Sequence, residues 1–212
     1  MLRQDIEQGW QVEHPDNGLR GEVRPTLPPG PEGGRYPRAT SDIVALLVLQ
    51  HQADVQNQIT RLSWDTRTAL AAASAGRMQA GDAQSRIAEA AEELVKRMLF
   101  ADAVEYTSPI SGDPNFVAQF TSRAVRDGQG RSLRDFDLSR RLFRHPLSYM
   151  IYSAAFDTLP AEAKRAVYGR LNDVLTGVDT SADFAALTAE DRLAVLEILR
   201  ATKPEFVKTI AN

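Results

Sequence analysis

The chain contains no cysteine, and this absence excludes several kinds of chemistry. Disulfides, thiolate metal sites, a cysteine nucleophile and covalent c-type attachment of haem all require that side chain. The sequence also lacks a long apolar run. The longest, residues 43–49, is far shorter than the roughly 20 residues of a membrane-spanning helix, so we predict no membrane span. The first eight residues contain no apolar segment like that of a signal peptide.

Strong charge of either sign is also missing, because 25 Lys and Arg stand against 28 Asp and Glu. No long basic tract is present, so we expect no nucleic-acid partner. The three histidines are scattered without metal-ligand spacing, so we predict no metal site. Serine-hydrolase elbows, phosphate loops and dinucleotide fingerprints are absent as well. We therefore name no catalytic residue and favour a non-enzymatic function.

What is present divides the chain into two parts. Prolines and glycines crowd residues 1–39, where proline removes hydrogen-bond donors and glycine adds backbone freedom. We predict that this part is an extended arm or linker without regular structure. Its apolar side chains, which could pack on the body, are Trp10, Val12, Leu19 and Tyr36. Residues 40–212 are predicted to form one helical domain.

Within that domain, apolar residues recur every three or four positions between helix-capping signals. We predict an all-α fold, an irregular bundle of about six to eight helices. One predicted helix covers residues 133–145, between Ser132 and the helix-breaking Pro146. The predicted helix starts or caps are Thr40 or Ser41, Asp82, Pro114, Ser132, Pro160 and Thr188.

His51 lies within an apolar helical stripe and is the candidate cofactor-binding residue. The stripe is Val44, Val48, His51, Val55, Ile59 and Leu62. A histidine on such a face is either a hydrogen-bonded core residue or a ligand of haem or a metal. The core interpretation is favoured, and it predicts a lowered pKa for His51. We expect His14 and His145 to be less enclosed.

Five arginines are concentrated between residues 131 and 144, interleaved with leucine and phenylalanine. Their guanidinium groups could bind anions or a protein partner from an amphipathic helix. Alternatively, they pair with Asp135, Asp137 and other carboxylates on a solvated face. The candidate partner-binding residues are Arg131, Arg134, Arg140, Arg141 and Arg144.

Segments 41–52, 130–138 and 149–160, together with the tail 191–204, carry a family resemblance. They resemble the C-terminal helical half of bacterial c-type-cytochrome-like proteins that bear a haem motif upstream. The resemblance implies a periplasmic or otherwise extracytoplasmic setting and a partner protein or haem-bearing region. The Cys-x-x-Cys-His motif is missing here, so haem could be bound only non-covalently or through a partner.

Two functions follow as expectations. The leading one is a non-enzymatic helical module that serves an extracytoplasmic cytochrome-like electron-transfer system through partner binding. The alternative is a haem- or small-molecule-binding protein with a pocket beside His51. In that case Met98 or Met150 could supply a second axial ligand to the haem iron.

Overall fold

The computed structural model describes residues 2–5, 9–12, 42–101 and 103–211. From residue 42 onward the described chain forms seven α-helices, which confirms the predicted all-α body of six to eight helices. Two short 3-10 helices, Tyr149–Tyr152 and Ala182–Phe184, lie between them. The α-helices are α1 (Ile43–Ser74), α2 (Ala80–Met98), α3 (Pro114–Ser122), α4 (Ala154–Asp157), α5 (Ala161–Leu175), α6 (Ala189–Thr202) and α7 (Pro204–Ile210).

The N-terminal arm contains two short strands, so the prediction that it lacks regular structure is wrong for these residues. Strand β1 (Leu2–Asp5) pairs antiparallel with β2 (Gly9–Val12), with Leu2 opposite Val12. Both strands precede the first proline, Pro15, so no proline removes a donor from the ladder. The predicted packing of the arm on the body concerns side chains outside the described residues.

The N-cap of α1 lies one or two residues after the predicted caps, Thr40 or Ser41, which are outside the described part. Asp42 is the N-cap, and its Oδ1 accepts the Val44 N–H at 2.9 Å. Its other oxygen, Oδ2, accepts the Asp113 N–H at 3.0 Å. One carboxylate therefore caps the start of α1 and also holds the loop before α3. Gly112 is required there, because a Cβ would lie 2.8 Å from the Cβ of Val44.

Other helix limits follow the predicted signals closely. Helix α2 starts at Ala80, two residues before Asp82, and α3 starts at Pro114 as predicted. Pro160 is the N-cap of α5. Gly177, with a φ of +77°, lies one residue beyond the C-cap position that follows α5, at the predicted stop. The predicted capping box of α6 is confirmed, since the Thr188 and Asp191 side chains each accept the other residue's backbone N–H.

The predicted helix over residues 133–145 is wrong. Asp135 accepts the Ser132 N–H at 2.8 Å, as in a capping box, but no helix follows. Asp137 instead accepts the backbone N–H groups of Ser139 and Arg140, which closes a turn. Leu138 sits in the left-handed region with φ of +60°, and Phe136 forms a bridge with Phe143. Side-chain hydrogen bonds to the backbone have thus replaced the helical ones.

The core lies where α1 packs along α2 and α2 packs on α5. It buries the five aliphatic residues of the predicted stripe of α1 and the predicted inner face of α2, whereas His51 of that stripe is partly exposed. Leu193 is an exception: it was predicted to face the core, yet its side chain is 57% exposed. The buried side of α6 is formed by Val195, Leu196, Ile198 and Leu199. None of the described helices is long and apolar enough to cross a membrane.

Two leucines of α1 provide a matched test of this core. Leu62 is fully buried, whereas Leu49 is 62% exposed. We expect Leu62→Ala to lower the free energy of unfolding by about 2–5 kcal/mol, because it leaves a cavity. Leu49→Ala should change it by no more than about 0.5 kcal/mol. Urea denaturation of both variants measures the difference, and equal costs would contradict the helix orientation described here.

Candidate functional site

A cleft of about 840 Å³ opens beside His51, between the N-terminal half of α1 and the end of α2. The loop at residues 103–106, the segment 141–146 and the residues before α6 complete its walls. Its size lies in the usual range of small-molecule sites. The larger apolar side chains in its lining include Leu47, Leu99, Phe100, Leu142, Phe143 and Leu187. Its charged and amide side chains are Gln50, Asp54, Asn57, Arg97, Glu105 and Arg141.

The imidazole of His51 is held by contacts on several sides. Its Nε2 and the Ser148 Oγ are 2.8 Å apart and share a hydrogen bond. The ring of Phe100 stacks on it with a centroid distance of 4.5 Å and an interplanar angle of 20°. Phe143 approaches edge-on, with a centroid distance of 5.8 Å. His51 therefore forms a fixed part of the cleft wall.

Phe100 reaches this position through an unusual backbone. It follows α2 with a φ of +57°, a left-handed conformation that glycine normally supplies at a helix end. The Ala101 N–H donates to the Lys96 carbonyl at 3.0 Å, as in the turn that closes many helices. A bulky residue pays roughly 1–2 kcal/mol in this region. This backbone conformation allows the Phe100 ring to stack on His51.

Burial sets the protonation state of His51. Desolvation lowers its pKa to about 4, because the charged imidazolium is disfavoured away from water. The ring is therefore neutral near pH 7. Tyr106, another residue of the cleft wall, is a neutral phenol near pH 7, and burial together with the nearby Asp137 raises its pKa further, to about 12. His51 and Tyr106 thus join the amides Gln50 and Asn57 as neutral polar side chains of the cleft wall.

The charges at the rim of the cleft are largely paired. Arg97 Nε lies 3.7 Å from Asp54 Oδ2, and both side chains are half exposed. Arg141 donates two hydrogen bonds to the carboxylate of Asp191, including Nη1 to Oδ2 at 3.0 Å. That pairing raises the pKa of Arg141. The cleft is thus apolar inside, with balanced charges at its mouth.

The five candidate arginines do not share one face. Arg141 is brought to the same cleft as His51, which the sequence did not indicate. Arg131 pairs with Asp127 and Glu197, with a nitrogen–oxygen distance of 2.8 Å in each case. Arg134 lies over the rings of Phe120 and Tyr149, 4.7 and 4.5 Å from their centroids. The exposed members are Arg140 and Arg144. Partner binding through these arginines stays a prediction.

The other predicted ligands lie apart from the cleft. Met98 and Met150 are buried in the core and do not line it. In the described part of the chain, no group of three or more His, Asp or Glu could hold a metal ion. His145 is more enclosed than expected, with 8% exposure, and burial lowers its pKa. The expectation that His145 is less enclosed than His51 was wrong, because the chain around it folds onto the core; His14 lies outside the described residues.

Sequence reasoning missed the two residues that fix His51. Ser148 lies 97 positions away in the chain, and no local pattern links it to the histidine. Phe100 stands where a helix ends without a glycine, and that mismatch was the only available signal.

No family model, curated protein or solved structure matches this chain. The resemblance to cytochrome-like proteins, and the periplasmic setting that it implies, therefore stay predictions.

Titration of His51 gives this site a measurable signature. Its folded pKa of about 4 lies below the unfolded value near 6.5, so the unfolded chain binds the proton first as the pH falls. Stability that is present above pH 6.5 is then lost down to about pH 4, by roughly 3 kcal/mol in total. We expect the free energy of unfolding of His51→Gln, measured by urea denaturation, to fall by about that much less than that of the unchanged chain between pH 7 and pH 4.

Two further variants control this experiment. His145→Gln should remove a contribution of the same sign, because burial also lowers that pKa. Gln50→Ala, at a non-titrating residue of the same cleft, should keep the pH dependence of the unchanged chain. Parallel curves for the unchanged chain and His51→Gln would show that the imidazole is solvated or paired when charged.

Proposed function

We propose that the protein binds a predominantly apolar small molecule, non-covalently, in the cleft beside His51. The observation that carries the proposal is a cleft of about 840 Å³ with aliphatic and aromatic walls and a few polar groups. Ligand sites combine these features, because apolar walls supply affinity and a few polar groups fix the orientation. The mouth has balanced charges, which favours a neutral or zwitterionic ligand.

His51 fits a role as an orienting group in this cleft. Its neutral ring keeps Nε2 on Ser148, and its Nδ1, for which no hydrogen bond is described, would bond a polar group of the ligand. Tyr106 provides another neutral polar side chain in the wall. Both groups stay uncharged near pH 7, so neither requires a charged ligand.

Coordination of haem iron is a weaker interpretation of the same cleft. The Nε2 atom, one of the two nitrogens that could bind iron, is engaged with Ser148. Phe100 covers one face of the ring at 4.5 Å, and neither candidate methionine lines the cleft. We therefore favour an apolar ligand held by its shape over a ligand held by an iron–histidine bond.

The Ser148–His51 pair does not support a hydrolase. Ser148 is fully buried, so its hydroxyl is closed to a substrate in the cleft. Its Oγ also accepts the Met150 N–H at 3.2 Å and caps the 3-10 helix Tyr149–Tyr152. A nucleophile needs access to its substrate as well as a neighbouring base. The pair fits a structural role that supports ligand binding.

Nile red, a neutral planar dye whose emission rises in apolar surroundings, tests the proposal. We expect saturable binding with one dye per chain. Ala103→Trp should weaken binding by about tenfold or more, because the larger ring occupies the exposed mouth of the cleft. Ala118→Trp, at an exposed position of α3 outside the cleft, is the matched control. Equal dye affinity in both variants, or no saturable binding by the unchanged chain, would refute the proposal.

A further inference from the structure

A second recess lies on the outer face of α1, away from the cleft. Trp64 is 72% exposed there, although tryptophan is a side chain that proteins usually bury in large part. The recess has a volume of about 540 Å³. It is lined by Trp64, Arg67, Thr68, Ala71, Ala72 and Arg77.

Helical spacing and one turn produce this surface. Trp64, Thr68 and Ala71 follow one another at steps of four and three, so they lie on one face of α1. Ala71 and Ala72 have short side chains, which leaves room beside the indole. Gly76, with a φ of +67°, turns the chain after α1, and Arg77 then contributes to the recess.

The two arginines of the recess have no carboxylate partner among the described residues. Arg67 Nε donates to Ser63 Oγ at 3.3 Å, and the Arg77 side chain makes no described hydrogen bond or ion pair. Asp65, the acid nearest to Arg67 in the sequence, forms ion pairs with two other arginines. It lies 3.7 Å from Arg61 and 2.8 Å from Arg86. Arg67 and Arg77 are exposed and carry positive charge that no described carboxylate neutralises.

We propose that this recess binds a planar aromatic molecule that carries a phosphate or carboxylate group. The ring would stack on Trp64 and lie over Ala71 and Ala72, while Arg67 and Arg77 hold the anionic group. Indole faces stack on aromatic rings, and guanidinium groups match the geometry of these anions. The proposal is independent of the function assigned to the His51 cleft.

A small ligand fits these observations better than a protein surface does. A stable protein interface typically buries about 800 Å² on each partner. This site is concave, has a single large aromatic side chain, and is bounded by two cations. Those features match one ring and one anionic group.

The test follows tryptophan emission while adenosine monophosphate is added to the full chain. Adenosine, inorganic phosphate and benzoate are titrated in parallel. The chain contains two tryptophans, so Trp64→Phe isolates the signal of Trp10 and serves as the optical control. Circular dichroism confirms that each exposed-site variant keeps its helical content.

We expect adenosine monophosphate to quench the emission saturably and to bind roughly tenfold more tightly than adenosine, since two exposed ion pairs are added. Arg67→Gln and Arg77→Gln should each weaken it about two- to fivefold without changing the affinity for adenosine. Arg200→Gln, at an exposed arginine of α6, should bind like the unchanged chain. Phosphate alone should leave the emission unchanged. Saturable quenching by benzoate would indicate that a carboxylate serves as well as a phosphate.

Three results would overturn the proposal. The first is quenching that does not saturate, which would be collisional. The second is equal affinity for adenosine and its monophosphate, because the arginines would then have no role. The third is quenching that persists in Trp64→Phe, which would place the ligand near Trp10.

Discussion

Ser148 is fully buried, and its hydrogen bonds reach three separate parts of the body. Its N–H donates to the Met98 carbonyl at the end of α2, and its Oγ bonds His51 of α1. The same Oγ accepts the Met150 N–H and begins the 3-10 helix that follows. A buried hydroxyl needs hydrogen-bond partners of this kind. These bonds therefore fix the positions of α1 and α2 relative to the chain beyond residue 147. The cleft exists at the place where these parts meet.

At the same junction, packing contacts offset an unfavourable backbone conformation at Phe100. Its left-handed conformation is unfavourable for a bulky side chain. The ring gains the stacked contact with His51 and a contact with Phe143, 5.8 Å between centroids. Burial by these rings keeps the imidazole neutral. A strained helix end, an aromatic cluster and a shifted pKa therefore arise from one packing arrangement, which also shapes the cleft wall.

Local signals made most of the helices predictable. The stripe of α1, the capping box at Thr188 and the start at Pro114 each depend on residues a few positions apart. The turn at residues 133–145 failed because Asp135 and Asp137 bond the backbone in ways that the helix pattern does not reveal. The site was predictable only at His51. Its partners are Phe100, which follows α2, and Ser148, which lies 97 residues downstream. Tertiary packing brings them to His51, and a periodic pattern does not encode that packing.

His51 is a neutral, largely buried part of the cleft wall, and the geometry around it depends on that state. Nuclear magnetic resonance titration of the histidine ring signals, with His51 assigned by its Gln variant, tests this directly. We predict a midpoint near pH 4 for His51. A midpoint near the ordinary value of about 6.5 would show that the imidazole is solvated, and the described packing of Phe100 and Ser148 around it would be contradicted.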